Sequence, residues 1–343
     1  MADLSTLAAG SILVSLILYA LLGGADFGGG VWHLVGRGPR AEGRSLVIAR
    51  AIGPVWEANH IWVIVAVVVL FTAFPHAFAV LSISLFVPLT LMLAGIVLRG
   101  AAFAFHHYQL YEEAGRRRWG TIFAAASLLT PVLLGAIVGA VSSGGIRAQT
   151  PAAEAAFRAW IAPFPLSVGL LTLAVFAYLA AVYLIFETDD PDLREDFRTC
   201  SLRSSAVVAV LLVVVLLLAR SGAPEFFHSL TGSAWSVGIL FLAAAAALGA
   251  GVSLLLRSYG LARACAAAQV TLILAGWGAA QYPFLVRPDL TIVSAASPPA
   301  TLRLILVALA AGALFLFPSL FALLRIFKKE ALFERPRKSP PGV

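Results

Sequence analysis

The chain has 343 residues, of which 61% are hydrophobic and 12% are charged, and its mean hydropathy is +0.95. Soluble domains carry charged residues at about a quarter of their positions, so this composition excludes an ordinary soluble protein. The formal net charge of +7 does not indicate nucleic-acid binding, because the basic residues are spread over short loops between apolar runs. The sequence therefore predicts an integral membrane protein with no nucleic-acid partner.

Nine apolar runs, each about 20 residues or longer, have the length that crosses a bilayer as a helix. We predict an all-α membrane protein in which residues 1–343 form one polytopic domain. The first run is kept as a span, because Asp3 stands where a signal peptide carries basic residues. Turn-forming residues separate the runs. The predicted helices are 6–36, 52–75, 77–105, 119–142, 161–186, 204–220, 235–257, 262–283 and 301–326.

The distribution of basic residues predicts the orientation of these spans. Of the 24 Lys and Arg residues, eighteen fall in the loops of one side and five in the loops of the other, while Arg99 stays inside a span. We call the side with eighteen basic residues the basic side. The positive-inside rule predicts that it is cytoplasmic, which places the N-terminus outside and the C-terminus in the cytoplasm.

Three ionisable side chains interrupt the first three spans. Asp26 lies in a glycine-rich segment of the first span, Glu57 lies near the start of the second, and Arg99 lies near the end of the third. At 1.5 Å of helix rise per residue, all three are expected roughly 8–15 Å from the basic side. Consecutive antiparallel helices pack side by side, so the sequence predicts a cluster of two acids and one base.

Two interpretations of this cluster are open. It could be a structural ion pair in which Arg99 partners the acids, or a proton path that uses Asp26 and Glu57. A charged group within a membrane span is costly and is usually functional, which favours the proton path. His60 lies one turn beyond Glu57 and could extend the path, as could His33 on the first span.

Other polar and aromatic residues give weaker indications. Trp56, Asn59 and Trp62 flank Glu57 and are predicted to pack against neighbouring helices or to contact a cofactor. Cys200 and Cys265 are isolated, so neither a disulfide nor a metal site is predicted. The histidines and methionines of the spans offer no facing pair of haem ligands, and we predict that this chain does not bind haem itself. No residue is predicted to be catalytic.

Three segments carry a resemblance to a known family. They are Gly24-Ala25-Asp26-Phe27-Gly28-Gly29-Gly30, then Ile52-Gly53-Pro54-Val55-Trp56-Glu57-Ala58-Asn59-His60-Ile61-Trp62, then Phe71-Thr72-Ala73-Phe74-Pro75. With Leu98-Arg99-Gly100 and the segment Gly276-Trp277-Gly278-Ala279-Ala280-Gln281-Tyr282-Pro283, the chain strongly resembles subunit II of cytochrome bd-type quinol oxidases. The resemblance covers essentially the whole chain, and the segment around Glu57 is its most specific part.

The resemblance implies nine transmembrane helices arranged as two four-helix bundles plus a peripheral helix. It implies a partner, subunit I, that carries haem b and haem d and oxidises quinol while dioxygen is reduced to water. The complex lies in a bacterial inner membrane and takes the protons for that reaction from the cytoplasm. The resemblance implicates Asp26 and Glu57 in their path. It leaves open a structural quinone in this chain and small accessory subunits.

The chain also departs from the family pattern. The common form has a further acid three residues before Asp26, where this chain has Gly23, and some members have one where this chain has Ala104. His60 is unusual beside the common form and could substitute for part of the missing acidic relay. The alternatives to an oxidase subunit are a proton-coupled transporter, which would use the same buried acids, and a purely structural assembly subunit.

Overall fold

The computed structural model describes residues 2–36, 39–53, 56–108, 113–148 and 153–333. Within these ranges, nine helical segments are long and apolar enough to cross a membrane. The membrane helices are α1 (Ala2–Leu18), continued by a π-helical segment (Tyr19–Gly23) and α2 (Gly24–Val35), α4 (Trp56–Asn59) with α5 (Ile61–Ala73), α7 (Phe86–Tyr108), α8 (Glu113–Ser143), α10 (Pro163–Leu184), α11 (Pro191–Gly222), α13 (Ala234–Leu255), α14 (Tyr259–Gln281) and α15 (Pro299–Phe333). The shorter elements are α3 (Ala41–Ile52), α6 (Pro75–Ser84), α9 (Ala153–Ile161), α12 (Pro224–Gly232), β1 (Phe284–Val286) and β2 (Leu290–Thr291).

The membrane helices form two four-helix bundles and a peripheral helix. The first bundle contains α1–α2, α5, α7 and α8, and the second contains α10, α11, α13 and α14. The last helix, α15, packs against α1 and α5 outside both bundles. The predicted fold class, nine membrane helices in this arrangement, is confirmed.

The two bundles meet where α2 and α8 of the first pack against α10 of the second. Gly24 of α2 lies against the Phe176 ring, and Gly28 lies so close to the Phe176 carbonyl and Ala180 that an added Cβ would overlap them. The Trp32 indole Nε1 donates a hydrogen bond to the Ala177 carbonyl, 2.8 Å away. Small residues allow helix backbones to approach closely in a bilayer, where no hydrophobic force drives helices together. The glycine-rich segment therefore holds the two bundles together.

The two largest errors in the predicted boundaries concern the third and the sixth span. Residues 77–84 were assigned to the third span, but they belong to the separate helix α6, which ends at Ser84, and α7 begins at Phe86. Pro88 lacks an N–H, so it cannot bond the Ser84 carbonyl and the helix cannot continue through this point. The sixth span was predicted to start at 204, whereas α11 starts at Pro191. Its start is fixed by Asp190, whose carboxylate accepts hydrogen bonds from the N–H groups of the next turn at 2.8 and 3.3 Å.

A small hairpin closes the side of the protein opposite the basic side. Strands β1 and β2 pair antiparallel, and Asp289 in their turn binds Arg147 at 3.1 Å. The buried Arg287 side chain donates to Ser229, 3.1 Å away, and to the Ala280 carbonyl. Burial lowers the pKa of Arg287, and the nearby Glu225 opposes that shift. These contacts tie the loop before α15 to α12 and α14.

Candidate functional site

Asp26 lies in the interior of the first bundle, in the first turn of α2. Its side chain is 4% exposed. Asn59 of α4 donates a hydrogen bond from Nδ2 to Asp26 Oδ2 at 2.5 Å and reaches the Leu22 carbonyl at 3.4 Å. A buried carboxylate without a donor would be strongly destabilising, so this amide is what makes the position tenable. The second span thereby supplies the partner of the acid on the first.

The backbone before Asp26 departs from a regular α-helix. Between Tyr19 and Gly23 the chain is π-helical, and the Gly24 N–H bonds to the Tyr19 carbonyl five residues earlier. Such a segment contains one residue more than the α-helical turn it replaces, and it is often found at functional sites. The Tyr19 side chain is 1% exposed and its ring lies edge-on to Phe27. Tyr19 was not predicted as a site residue, although a tyrosine within an apolar span is visible in the sequence.

Arg99 is buried next to this site, with its side chain 1% exposed. Its guanidinium carbon lies 4.6 Å from the centre of the Phe27 ring and 5.2 Å from that of Phe123, and its Nε donates to Ser127 Oγ at 3.3 Å. Among the described residues, no contact of 4.0 Å or less joins Arg99 to a carboxylate. The direct ion pair predicted for Arg99 is therefore not formed. Two aromatic faces and a hydroxyl hold the guanidinium instead.

His60 lies on the other side of the same aromatic group. Its Nδ1 lies 2.8 Å from the Trp56 carbonyl, which can only accept, so Nδ1 carries the proton and Nε2 has a free lone pair. The ring lies edge-on to Tyr19 and Phe27, at 5.9 and 6.1 Å between centres. In the described part of the chain, Nε2 is buried without a hydrogen-bond partner. Asp26, Asn59, Arg99 and His60 thus surround the Tyr19 and Phe27 rings.

Glu57 does not join this cluster. It is exposed, whereas Asn59 on the same helical turn is buried. Two residues apart on a helix point to nearly opposite sides, so when Asn59 faces Asp26, Glu57 must face away from it. The expectation that both acids lie in the interior was wrong for this residue. The buried partner of Asp26 is an amide that the sequence analysis had assigned only to packing or a cofactor contact.

The remaining predicted site residues have packing contacts. The Trp56 ring lies against Gly100 and 6.1 Å from the Phe103 ring, and the buried Trp62 ring lies 5.9 Å from Phe317 of α15. His33 Nδ1 lies 3.0 Å from Ser45 Oγ on α3, outside the cluster around Asp26. Across the described ranges, no group of three or more His, Cys, Asp or Glu side chains could hold a metal ion.

Comparisons with known proteins cover nearly the whole chain. The family model described as cytochrome bd terminal oxidase subunit II matches residues 4–327. A putative cytochrome bd menaquinol oxidase subunit II of Bacillus subtilis is 23% identical over 337 residues, which cover 93% of this chain and 94% of that protein. Subunit 2 of the cytochrome bd-I ubiquinol oxidase of Escherichia coli is 27% identical over 132 residues, covering 38% of this chain and 34% of that protein.

The fold is also found in a solved structure. A chain of the bd oxidase from Geobacillus thermodenitrificans superposes with a TM-score of 0.79, covering 97% of this chain and 100% of that one, at 23% sequence identity. At this level of identity the likeness concerns the fold.

Proposed function

Because the chain belongs to the cytochrome bd terminal oxidase subunit II family, we propose that it works as one subunit of a quinol oxidase. In this proposal, the complex oxidises quinol and reduces dioxygen to water in the aerobic respiratory chain of a bacterial inner membrane. Its partner is a haem-bearing subunit I, and lipid surrounds both. Small accessory subunits and a structural quinone are additions that purification of the complex would reveal.

We assign haem b and haem d to the partner rather than to this chain. His60 is the histidine of the buried cluster; its Nε2 is buried, and the centre of its ring lies 5.9 and 6.1 Å from the centres of the Tyr19 and Phe27 rings. A porphyrin on this nitrogen would have to displace both rings, so the residues do not fit a haem. This argument supports a non-haem role for the chain within the complex.

The contribution we propose for this chain is proton uptake through Asp26. The single observation that carries the proposal is a carboxylate buried in the membrane interior and hydrogen-bonded to a neutral amide rather than to a cation. An amide donor does not hold the carboxylate permanently ionised, so the carboxyl group can both accept and release a proton. In this path the exposed Glu57 receives protons from water, Asp26 carries them inward, and His60 Nε2 is a further acceptor.

The proposal includes an orientation. With the basic side in the cytoplasm, Glu57 lies near the cytoplasmic water and the N-terminus lies outside. The protons for dioxygen reduction would then be taken from the cytoplasm. Fusing a reporter that is active on only one side of the membrane to the C-terminus tests this orientation directly.

Asp26→Asn tests the proton path, because asparagine has nearly the same shape but cannot carry a proton. We expect the purified complex to keep its haem spectrum and to lose roughly 10- to 100-fold in oxygen consumption, the range for loss of a positioned proton-transfer group. Asp3→Asn, which changes an exposed acid on the same span, is the control and should keep full activity.

The outcomes separate the proposal from a purely structural role. Full oxygen consumption in Asp26→Asn would remove Asp26 from the proton path, whereas loss of the haem spectrum would make the residue an assembly contact. Glu57→Gln should slow the reaction less than Asp26→Asn, because Glu57 is exposed and water can deliver protons directly to the groups next to it. A chain that purified alone and worked in liposomes without a partner would indicate the transporter alternative.

A further inference from the structure

A group of ion pairs on the basic side joins the two bundles. Arg40, just before α3, contacts Asp192 and Asp196 of α11 at 3.4 Å each, and Arg44 of α3 contacts Asp196 at 3.8 Å. The Arg44 and Asp196 side chains are only 20% and 21% exposed, whereas Asp192 is 77% exposed. Salt screens shielded pairs less than exposed ones, so the attraction of Asp196 for the two arginines is the more persistent one, and it acts by charge, because its Oδ2 has no hydrogen-bond partner among the described residues.

The same contact has an apolar half. Ile48 and Ile52 of α3 are buried in one hydrophobic cluster with Leu193 and Phe197 of α11. Both isoleucines also lie under Gly29 of α2, where an added Cβ would come within 2.7 Å of Ile52 and 3.2 Å of Ile48. The helix α3 is therefore pressed against the end of α2 from one side and held by α11 from the other.

The position of α3 is transmitted by packing to the Asp26 site. Trp56, the first residue of α4, packs against the hydrophobic cluster that contains Ile48 and Ile52 of α3, and Asn59 lies on the same short helix. Asn59 donates the hydrogen bond to the Asp26 carboxylate. A shift of α3 therefore moves the surface against which Trp56 and α4 pack, and it alters the distance between the Asn59 amide and the Asp26 carboxylate.

We propose that Asp196 of the second bundle is a positioning residue for Asp26 in the first. By binding Arg40 and Arg44, it fixes α3, and through α4 it holds the Asn59 amide on the Asp26 carboxylate. This inference rests on the proposed role of Asp26 for its effect on oxygen consumption. Its effect on the hydrogen bond to Asp26 does not depend on that role.

The test is Asp196→Asn in the intact complex, with two measurements. The first is the infrared carboxyl band that disappears in Asp26→Asn, and we expect it to shift because the hydrogen bond lengthens. The second is oxygen consumption, which should fall by a factor of roughly 3 to 10. This is less than the roughly hundredfold loss caused by misplacing a reacting group by about 1 Å, because Asp196 acts on Asp26 only indirectly. Asp196→Glu, which keeps the carboxylate, should restore both.

Glu195→Gln is the matched control. Glu195 neighbours Asp196 on the same turn of α11. It pairs with Arg198 and, at 3.4 Å, with Arg257, and it makes no ion pair with the described residues of α3. It should leave the Asp26 band in place. An unchanged band in Asp196→Asn, or an equal shift in Glu195→Gln, would overturn the proposal.

The two proposals fail in different ways. A shifted band with normal oxygen consumption supports the positioning role and contradicts the proton path through Asp26. If Asp196→Asn does not assemble, Arg44→Gln removes the other half of the pair and should give the same two changes. Failure of that variant to assemble as well would make the pair a folding contact and overturn the positioning role.

Discussion

The first and last membrane spans are both apolar enough to cross a bilayer, yet they occupy opposite environments. The span formed by α1 and α2 belongs to the first bundle, packs against α10 of the second, and contains a buried carboxylate and closely packed glycines. In α15, by contrast, no residue of the most apolar stretch is buried, and Leu314 and Phe315 are 75% and 77% exposed. Hydropathy detects both spans equally well, but polar residues and small residues are what distinguish an interior helix from a lipid-facing one.

The largest expected effect comes from filling the contact between α2 and α10. Gly28→Val adds side-chain atoms where a Cβ already overlaps the Phe176 carbonyl, and backbone atoms cannot move aside as a side chain can. We expect a cost of about 3 kcal/mol or more, at the upper end of overpacking, and loss of the assembled complex. Size-exclusion chromatography of the purified complex measures this loss.

Gly312→Val on α15 is the control for that variant. No atom lies within 4 Å of a Cβ added at Gly312, so the substitution should leave assembly unchanged. If both glycines tolerate valine, α2 and α10 are less tightly packed than the contact at Gly28 indicates, and the contrast between the two spans would be lost.

A smaller effect is expected when the Asp26 carboxylate loses its donor. Asn59→Leu keeps the approximate size of the side chain but leaves the buried carboxylate without the amide, at a cost of about 1.5–3 kcal/mol. Both the apparent melting temperature of the complex and its oxygen consumption should fall. Thr72→Val, which removes an exposed hydroxyl bonded only to its own helix at Val68, should change neither.

The smallest expected effect concerns the aromatic contact between Phe317 of α15 and Trp62. Phe317→Ala removes a ring that lies 5.9 Å from Trp62 but remains about half exposed, so we expect a loss of about 1 kcal/mol and a small decrease in melting temperature. Phe315→Ala, on the lipid-facing side of α15, should cause none. Equal losses from the two variants would indicate that α15 has a further partner at Phe315.

The sequence was sufficient for the nine spans, because each needs a long apolar run that little else in a protein resembles. The short elements α3, α9 and α12 were not predicted, since helices of 9 to 12 residues at a membrane surface have no such run. Asp190 and Pro191 did mark the start of α11, but they were interpreted as a loop. A cap followed by proline at the first helical position indicates a helix start.

For the site, the spacing of residues in the sequence predicted the correct region of the protein but the wrong hydrogen-bond partner for Asp26. The spacing of Asp26, Glu57 and Arg99 correctly placed Asp26 and Arg99 in one buried region. It could not determine which side of α4 faces inward, because α4 is a single turn that ends before His60 and is too short to show a helical period of apolar residues. Only the packed structure distinguishes Asn59 from Glu57, and only it shows the contribution of Tyr19.

The extra residue in the π-helical segment Tyr19–Gly23 determines which way the side chains of α2 face. If this stretch kept all of its residues but adopted regular α geometry, the following helix would turn by about 100° relative to α1. The carboxylate would then swing away from its amide, and the glycines would no longer meet Phe176. The contacts of Asp26 and of the glycines that follow it therefore depend on this stretch keeping its π-helical geometry.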